Sequence, residues 1–283
     1  MSLVDLHTHT TASDGTDTPA QLMALAKEAG LVAVAVTDHD TVSGLDEAEA
    51  AGRELGVELV RGCELSCITD MGEAHILGLW LPHDIAPVQK KLRWLQQKRT
   101  ERNVAIVDRL QALGLDISMD EVLRVARGES VGRPHIASVL LRKGYVRNSR
   151  EVFQKYLGSG GRAYIPRTVL GAEEAVHLLA SQGATVSLAH PLHWKISPDN
   201  LAKLVARLKD AGLSAIEAWY SEHSAADVRV CLELARRFDL GVSGGSDYHG
   251  SNKPAIALGV GYGSLRVHKS VLDDLRARRR AGA

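Results

Sequence analysis

The sequence predicts an α/β fold, a barrel-like array of strands and helices interrupted by a helical insertion. Short, near-continuous apolar runs rich in β-branched residues alternate with helical patterns, the mark of strands covered on both faces. Seven such runs occur, enough for a barrel of βαβ units. Residues 83–165 break this rhythm and carry helical patterns alone.

The first run, LVDLH at 3–7, leads to PAQLMALAKEAG at 19–30. That helix opens on Thr18-Pro19, a capping residue followed by proline at the first helical position, and closes on glycine. VAVAVTDHD at 32–40 is the second strand, GLDEAEAAGRELG at 44–56 the second helix, and VELVRGCEL at 57–65 and AHILGLWL at 74–81 the next two strands. Then comes the break. KKLRWLQQKRTERNVAIVDRLQALG predicts one long basic helix, and MDEVLRVAR, PHIASVLLRKG and SREVFQKYLG predict three shorter ones. Strands resume with GATVSLAHP at 183–191, AIEAWY at 215–220 and GVSGGSDYH at 241–249, separated by helices at 200–212 and 225–241. The predicted organisation is a barrel from 1–82 and 166–283, with a basic helical insertion at 83–165.

The 283 residues are 45% hydrophobic and 24% charged, which allows one large core, or one core with a smaller insert. Cys63, Cys67 and Cys231 are too few for a disulfide framework, and odd in number. The opening VDLHTH is not a basic stretch leading into an apolar run, and no apolar run approaches the ~18 residues of a membrane span. The expectation is a soluble, cytoplasmic protein without a membrane or obligate protein partner. Net charge is zero but uneven: residues 83–168 hold 17 Lys+Arg against 8 Asp+Glu. Such a split suits a basic segment facing anions and an acidic remainder able to hold cations.

Chemistry collects where strands end. His7 and His9, Asp38-His39-Asp40, Glu64, His190, and Asp247 with His249 all close apolar runs, Asp14 follows the first, and His75 opens the fourth as an exception. Carboxyl ends of strands form the active face of parallel α/β folds. Carboxylates and imidazoles gathered there need compensation, because unpaired buried charge is costly, and cations supply it. An all-nitrogen and oxygen donor set suits Mn²⁺, Zn²⁺, Fe²⁺ or Mg²⁺ over copper or an iron–sulfur cluster. Cys63 and Cys67 flank Glu64, but no second pair completes a thiolate zinc site.

These residues resemble the motifs of the polymerase and histidinol phosphatase (PHP) family of metal-dependent phosphoesterases. They are HTH at 7–9 with Asp14, TDHD at 37–40, GCE at 62–64 with His75, AHP at 189–191 and SDYH at 246–249, covering residues 1–82 and roughly 166–260. The resemblance implies a distorted (β/α)7 barrel with two or three divalent ions, Mn²⁺ foremost. His7, His9 and Asp247 would hold one metal, and Glu64 would bridge to a second held by His75 and His190. Asp14, His39 and His249 would hold a third. The D-x-H spacing of Asp247 and His249 predicts both on one side of an extended strand. Paired metals ~3.5–4 Å apart activate a bridging water and clamp an in-line displacement at phosphorus. Glu64 and Asp247 are thus catalytic candidates through the metals, and His193 is the candidate general acid for the leaving alkoxide.

The insertion offers anion donors: Lys98, Arg99 and Arg102 in one stretch, Ser130, Arg133 and His135 in another. Arg99 and Arg102, three apart, share a helix face. Arg133 is expected just before a helix N-terminus, where free N–H groups and the dipole favour phosphate. The R-x-x-R-N helix followed by G-R-P-H is similar to that of the nucleoside 3′,5′-bisphosphate phosphatases, some relatives of which also trim short oligoribonucleotides from the 5′ end. The resemblance implies hydrolysis of the 3′-phosphate of a nucleoside 3′,5′-bisphosphate, the partner being a small nucleotide or short oligonucleotide. The alternatives are a histidinol-phosphate phosphatase, a DNA-processing exonuclease and a non-catalytic metal-binding module. An aromatic content of 4% offers few stacking platforms for long single strands.

Overall fold

The computed structural model describes residues 2–126, 131–193 and 196–281. The chain divides into two compact units, Met1–Gln89 with Leu170–Ala283, and Lys90–Val169.

In the first unit, β1 (Leu3–Thr8), α1 (Pro19–Glu28), β2 (Leu31–Val36), α2 (Leu45–Leu55) and β3 (Glu58–Thr69) form successive parallel strands with crossover helices. Thr18 caps α1: its hydroxyl accepts from the Gln21 N–H, and the Gln21 side chain accepts in return from the Thr18 N–H. The strand β4 (Gly72–Leu79) departs from the expected parallel pattern and runs antiparallel to β3. Two residues join them, too few for the crossover that a parallel pair requires. The long helix α3 (Ala86–Ala112) follows, and then α4 (Met119–Ala126), α5 (Arg133–Arg142) and the short α6 (Ser149–Val152), which continues as a π-helical turn over Phe153–Leu157. A two-residue strand, β5 (Leu170–Gly171), pairs with β3. Next come α7 (Ala172–Ala180), β6 (Thr185–Leu188), α8 (Pro198–Asp210), β7 (Ala215–Tyr220), α9 (Ala225–Arg237), β8 (Gly241–Gly245) and α10 (Lys269–Ala281).

The sheet order is β1-β2-β3-β4-β6-β7-β8, with β5 off the path as an eighth strand. The segment after β8 nearly closes the ring: the Asp247 N–H donates to the His7 carbonyl and the His9 N–H to the Tyr248 carbonyl, both at 2.9 Å. This is a distorted barrel of the expected class. Gly245 is required at the closure, because a side chain there would run into the backbone of His7 and the Asp5 carboxylate.

The strands are continuous in apolar character because they are covered on both faces. Val4, Leu6, Ala33, Ala35 and Val60 pack with Leu272 and Leu275 of α10. Val34 and Val36 pack with Leu22, Met23 and Ala26 of α1 and Leu45 and Ala48 of α2. The second unit has its own core, centred on Ile106, Leu110, Ile117, Val122, Ile136, Leu140, Val152 and Leu157. No described helix is long and apolar enough to cross a membrane.

Candidate metal centre

Most of the motif residues lie at or just beyond strand ends, but Glu64, expected to close its run, sits in the middle of β3 because that strand continues to Thr69, and His75 is the fourth residue of β4. His7 is the fifth residue of β1, and His9 follows its end. His39 follows β2, His190 follows β6, and Asp247 and His249 follow β8. Asp247 has a left-handed backbone, φ +58°, so the pair is not carried on one extended strand as its spacing suggested. His190 is likewise left-handed, φ +26°. Such conformations cost on the order of 1–3 kcal/mol each in non-glycine residues and persist where the surroundings over-determine them. His75 stops being an exception once β4 is seen to run backwards. Its position opposite Ser66 brings the start of β4 to the end where neighbouring strands finish.

Glu64, fully buried, is the centre of the array. Its Oε1 lies 3.0 Å from His75 Nδ1 and 3.1 Å from His190 Nε2. Its Oε2 lies 2.9 Å from His39 Nδ1, 3.3 Å from His9 Nε2 and 3.4 Å from His7 Nε2. Asp247 Oδ1 stands 3.3 Å from His9 Nε2 and 3.7 Å from His7 Nε2. Asp14 reaches His249 Nε2 at 3.3 Å, His9 Nδ1 at 3.8 Å and His39 Nε2 at 3.9 Å. All nine candidate ligands thus fall into overlapping groups: His7, His9 and Asp247; His7, Glu64 and His190; His39, Glu64 and His75; and His9, Asp14, His39 and His249.

The donor set fits divalent cations. His7 Nε2, both ring nitrogens of His9, His39 Nδ1 and Glu64 Oε2 are buried without a hydrogen-bond partner among the described residues. Two donors each ~2.0–2.2 Å from a shared metal stand about 3.0–3.5 Å apart, the range seen between most of these atoms. A buried polar atom facing others of its kind, out of hydrogen-bond alignment, is costly unless a cation sits among them. None of these groups includes a cysteine, and burial raises the Cys63 thiol, and the Cys231 thiol to about 12.

Residues outside the candidate ligand set hold this array. Glu217, fully buried on β7, accepts from His7 Nδ1 at 3.0 Å and from the His190 N–H at 2.8 Å, steering two candidate ligands at once. Asp247 Oδ2 accepts from Tyr220 at 3.0 Å and Lys253 at 2.6 Å, leaving Oδ1 toward the imidazoles. Asp38 is a brace rather than a ligand: it accepts from the Thr10 N–H and hydroxyl, each at 2.7 Å, and from the Ser13 hydroxyl at 2.6 Å. Asp5 binds Ser246 and the Gly259 N–H. A carboxylate inside a continuous apolar run, as in VDLH or AIEAWY, was the signal available in the sequence.

His193 is half-exposed and pairs with Glu222 through Nδ1 at 3.1 Å. Its ring stands edge-on to His190, centroids 5.9 Å apart. The remaining expected contacts lie in the helical unit. Lys98 is paired with Glu101 at 2.7 Å. Arg102 donates through Nε to the Ile165 carbonyl at 2.8 Å, and Arg133 to the Leu157 carbonyl at 3.2 Å. Arg102 is held below its usual value by burial first, then by Arg133, Arg167 and Arg99, so these guanidiniums form a like-charged group. Arg133 is the first residue of α5 rather than the residue preceding it, and His135 Nδ1 accepts from the Gly132 N–H at 3.0 Å as a cap. Ser130 lies outside the described residues.

The PHP-domain family model matches residues 5–162, running on through the helical stretch. A 5′-3′ exoribonuclease of Haemophilus influenzae is 33% identical over 245 residues, 87% of this chain and 89% of that protein. A 3′,5′-nucleoside bisphosphate phosphatase of Chromobacterium violaceum is 31% identical over 279 residues, 98% of each. Among solved structures, an amidohydrolase from Chromobacterium violaceum with bound sulfate and no metal superposes with a TM-score of 0.79 at 29% identity, covering 98% of this chain and 97% of that one.

Two outcomes are expected of this geometry. Glu217→Gln leaves one acceptor oxygen and puts an NH2 donor in place of the other, so the residue can no longer accept from both His7 Nδ1 and the His190 N–H. Metal affinity should then fall about 10–100-fold in competition with a chromophoric chelator; unchanged affinity would remove Glu217 from the site. The second concerns protons. Burial disfavours a charged His9, but Asp247 and Glu64 outweigh it and raise the imidazole to about 9 in the metal-free chain. A cation must displace that proton, so metal affinity should fall as pH drops below about 9. Metal added at pH 7 in weak buffer should release protons, and a titration without release would exclude His9 as a ligand.

Proposed function

Since the chain belongs to the PHP-domain family of metal-dependent phosphoesterases, we propose that it removes the 3′-phosphate of nucleoside 3′,5′-bisphosphates, giving the 5′-monophosphate and phosphate, and trims short oligoribonucleotides from the 5′ end. The observation that carries this reading is the nine-residue nitrogen and oxygen donor set; the helical unit, taken by itself, adds a group of arginines. One monophosphate ester has less use for so many anion donors. A substrate with a second phosphate, at the 5′ position, accounts for them.

His7, His9 and Asp247 would hold one divalent ion, His75 and His190 a second bridged by Glu64, and Asp14, His39 and His249 a third, with Mn²⁺ the ion proposed from the family resemblance and Zn²⁺, Fe²⁺ or Mg²⁺ compatible with the same donors. His39 stands near both of the last two sets, 2.9 Å from Glu64 and 3.9 Å from Asp14. Bound ions supply Lewis acidity toward the ester and a water nucleophile at neutral pH. Tyr220 and Lys253 keep Asp247 aimed, and Glu217 keeps His7 in one orientation. His193, oriented by Glu222, is the proposed proton donor to the departing ribose oxygen. Arg102 and Arg133, with Lys98, Arg99, Ser130 and His135, are the proposed contacts of the 5′-phosphate, guanidinium suiting bidentate phosphate contact.

The direct test is phosphate release, with Mn²⁺ supplied, from adenosine 3′,5′-bisphosphate and from histidinol phosphate side by side. The bisphosphate should be the better substrate by kcat/KM. A preference for histidinol phosphate would overturn the nucleotide reading while leaving the metal centre standing. Arg133→Ala should raise KM for the bisphosphate about 10–100-fold, the loss of a charge-assisted contact, with metal content intact. Unchanged kinetics would take Arg133 out of substrate binding.

A further inference from the structure

Tyr262 is the most exposed large apolar side chain among the described residues, at 56%. Exposed aromatics often ride on loose loops, but this one does not. The turn beneath it is closed twice, by the Ala257 N–H on the Gly261 carbonyl at 2.9 Å and the Gly261 N–H on the Ala257 carbonyl at 2.8 Å. The Gly259 N–H is anchored on the buried Asp5 carboxylate at 2.8 Å. Gly261, φ +56°, packs so closely on Ser221 that a Cβ there would meet its hydroxyl at 2.5 Å. The ring is therefore presented to solvent on a fixed support.

A second observation ties the ring to the metal centre. The Tyr262 hydroxyl donates to Glu222 Oε1 at 3.4 Å, Glu222 Oε2 pairs with His193 Nδ1 at 3.1 Å, and the His193 ring lies 5.9 Å from that of His190. A continuous chain of side chains leads from a candidate ligand to a bare aromatic face. A nucleotide whose phosphate sits at the metals must place its base outside the polar centre, where an apolar aromatic surface is the fitting partner.

We propose that Tyr262 is the platform on which the substrate base stacks, held by the closed turn beneath it on the side of the centre that Glu222 and His193 border. The inference rests on the nucleotide reading above and deepens it. Stacking engages the π-face that every base has, so the platform favours nucleotides as a class without choosing among bases. It also supplies what the metal centre lacks, a feature that separates a nucleotide from another phosphate ester.

The test compares kcat/KM for adenosine 3′,5′-bisphosphate with that for ribose 3,5-bisphosphate, which carries the same phosphates without a base. In Tyr262→Ala the ratio should fall roughly tenfold, through KM, as for loss of one base–aromatic stack. Tyr262→Phe keeps the ring and should keep the ratio. Calorimetric binding of adenosine 5′-monophosphate against ribose 5-phosphate should show the same loss of selectivity in Tyr262→Ala. An unchanged ratio in Tyr262→Ala, with the wild type active on the bisphosphate, overturns the platform and leaves the nucleotide reading in place. A wild type that prefers histidinol phosphate to both bisphosphates overturns the two together.

Discussion

Glu64 is the constraint on which the rest of the barrel depends. A carboxylate with no solvent exposure is approached within 3.4 Å by imidazoles of His7, His9, His39, His75 and His190. Burial pushes its carboxyl up, but His39, His7, His75 and His190 hold it well below the usual range, so it is ionised. Folding must therefore deliver these side chains to one oxygen pair, and several costly local features serve that end. The reversal of β4 brings in His75, the left-handed backbone of His190 turns it inward, and glycine at 245 lets the chain after β8 close on β1. The compensation has two forms. Without a cation, raised pKa values keep His7 and His9 protonated against Glu64, Glu217 and Asp247. With one, the same positive charge comes from the ion, which couples metal loading to proton release.

How much of this was legible in the sequence depends on which property a residue expresses. The gathering of the candidate ligands was legible, because histidines and carboxylates closing apolar runs have no bland role to fill together, and HTH, TDHD and SDYH carry the family pattern. Direction was not. Nothing in the apolar run AHILGLWL distinguishes a strand running up from one running down; the signal lay in the short ITDMG connection before it. The outer residues were legible only in principle: Asp5 and Glu217 stand inside apolar runs, where a carboxylate must find donors. The α/β class and the separate helical stretch emerge from periodicity, whereas the two-residue β5 is too short to leave a pattern. The strand-face argument for Asp247 and His249 failed because β8 ends at Gly245 and the backbone turns left-handed at Asp247.

In the helical unit a charge count overstates the anion donors. Lys98 is paired with Glu101, Lys143 with Asp116 and Glu121, and Lys155 with Glu151. Arg109 donates to the Tyr164 carbonyl and Arg102 to that of Ile165, so part of the basic surface ties residues 164–165 to α3. What distinguishes Arg102 is the company it keeps. Burial and then Arg133, Arg167 and Arg99 oppose its charge, while its Nε–H donates to the Ile165 carbonyl.

The carboxylates of the centre show how selection for cations and selection for substrate can be separated. Asp247 has one oxygen tied by Tyr220 and Lys253 and the other turned to His7 and His9. Glu64 divides its oxygens between two sets of imidazoles, Oε1 toward His75 and His190 and Oε2 toward His7, His9 and His39, so this one carboxylate would hold ions of both sets. Relatives with about one-third identity over most of the chain carry names as different as an exoribonuclease and a nucleoside bisphosphate phosphatase, so membership of the family does not by itself fix the substrate.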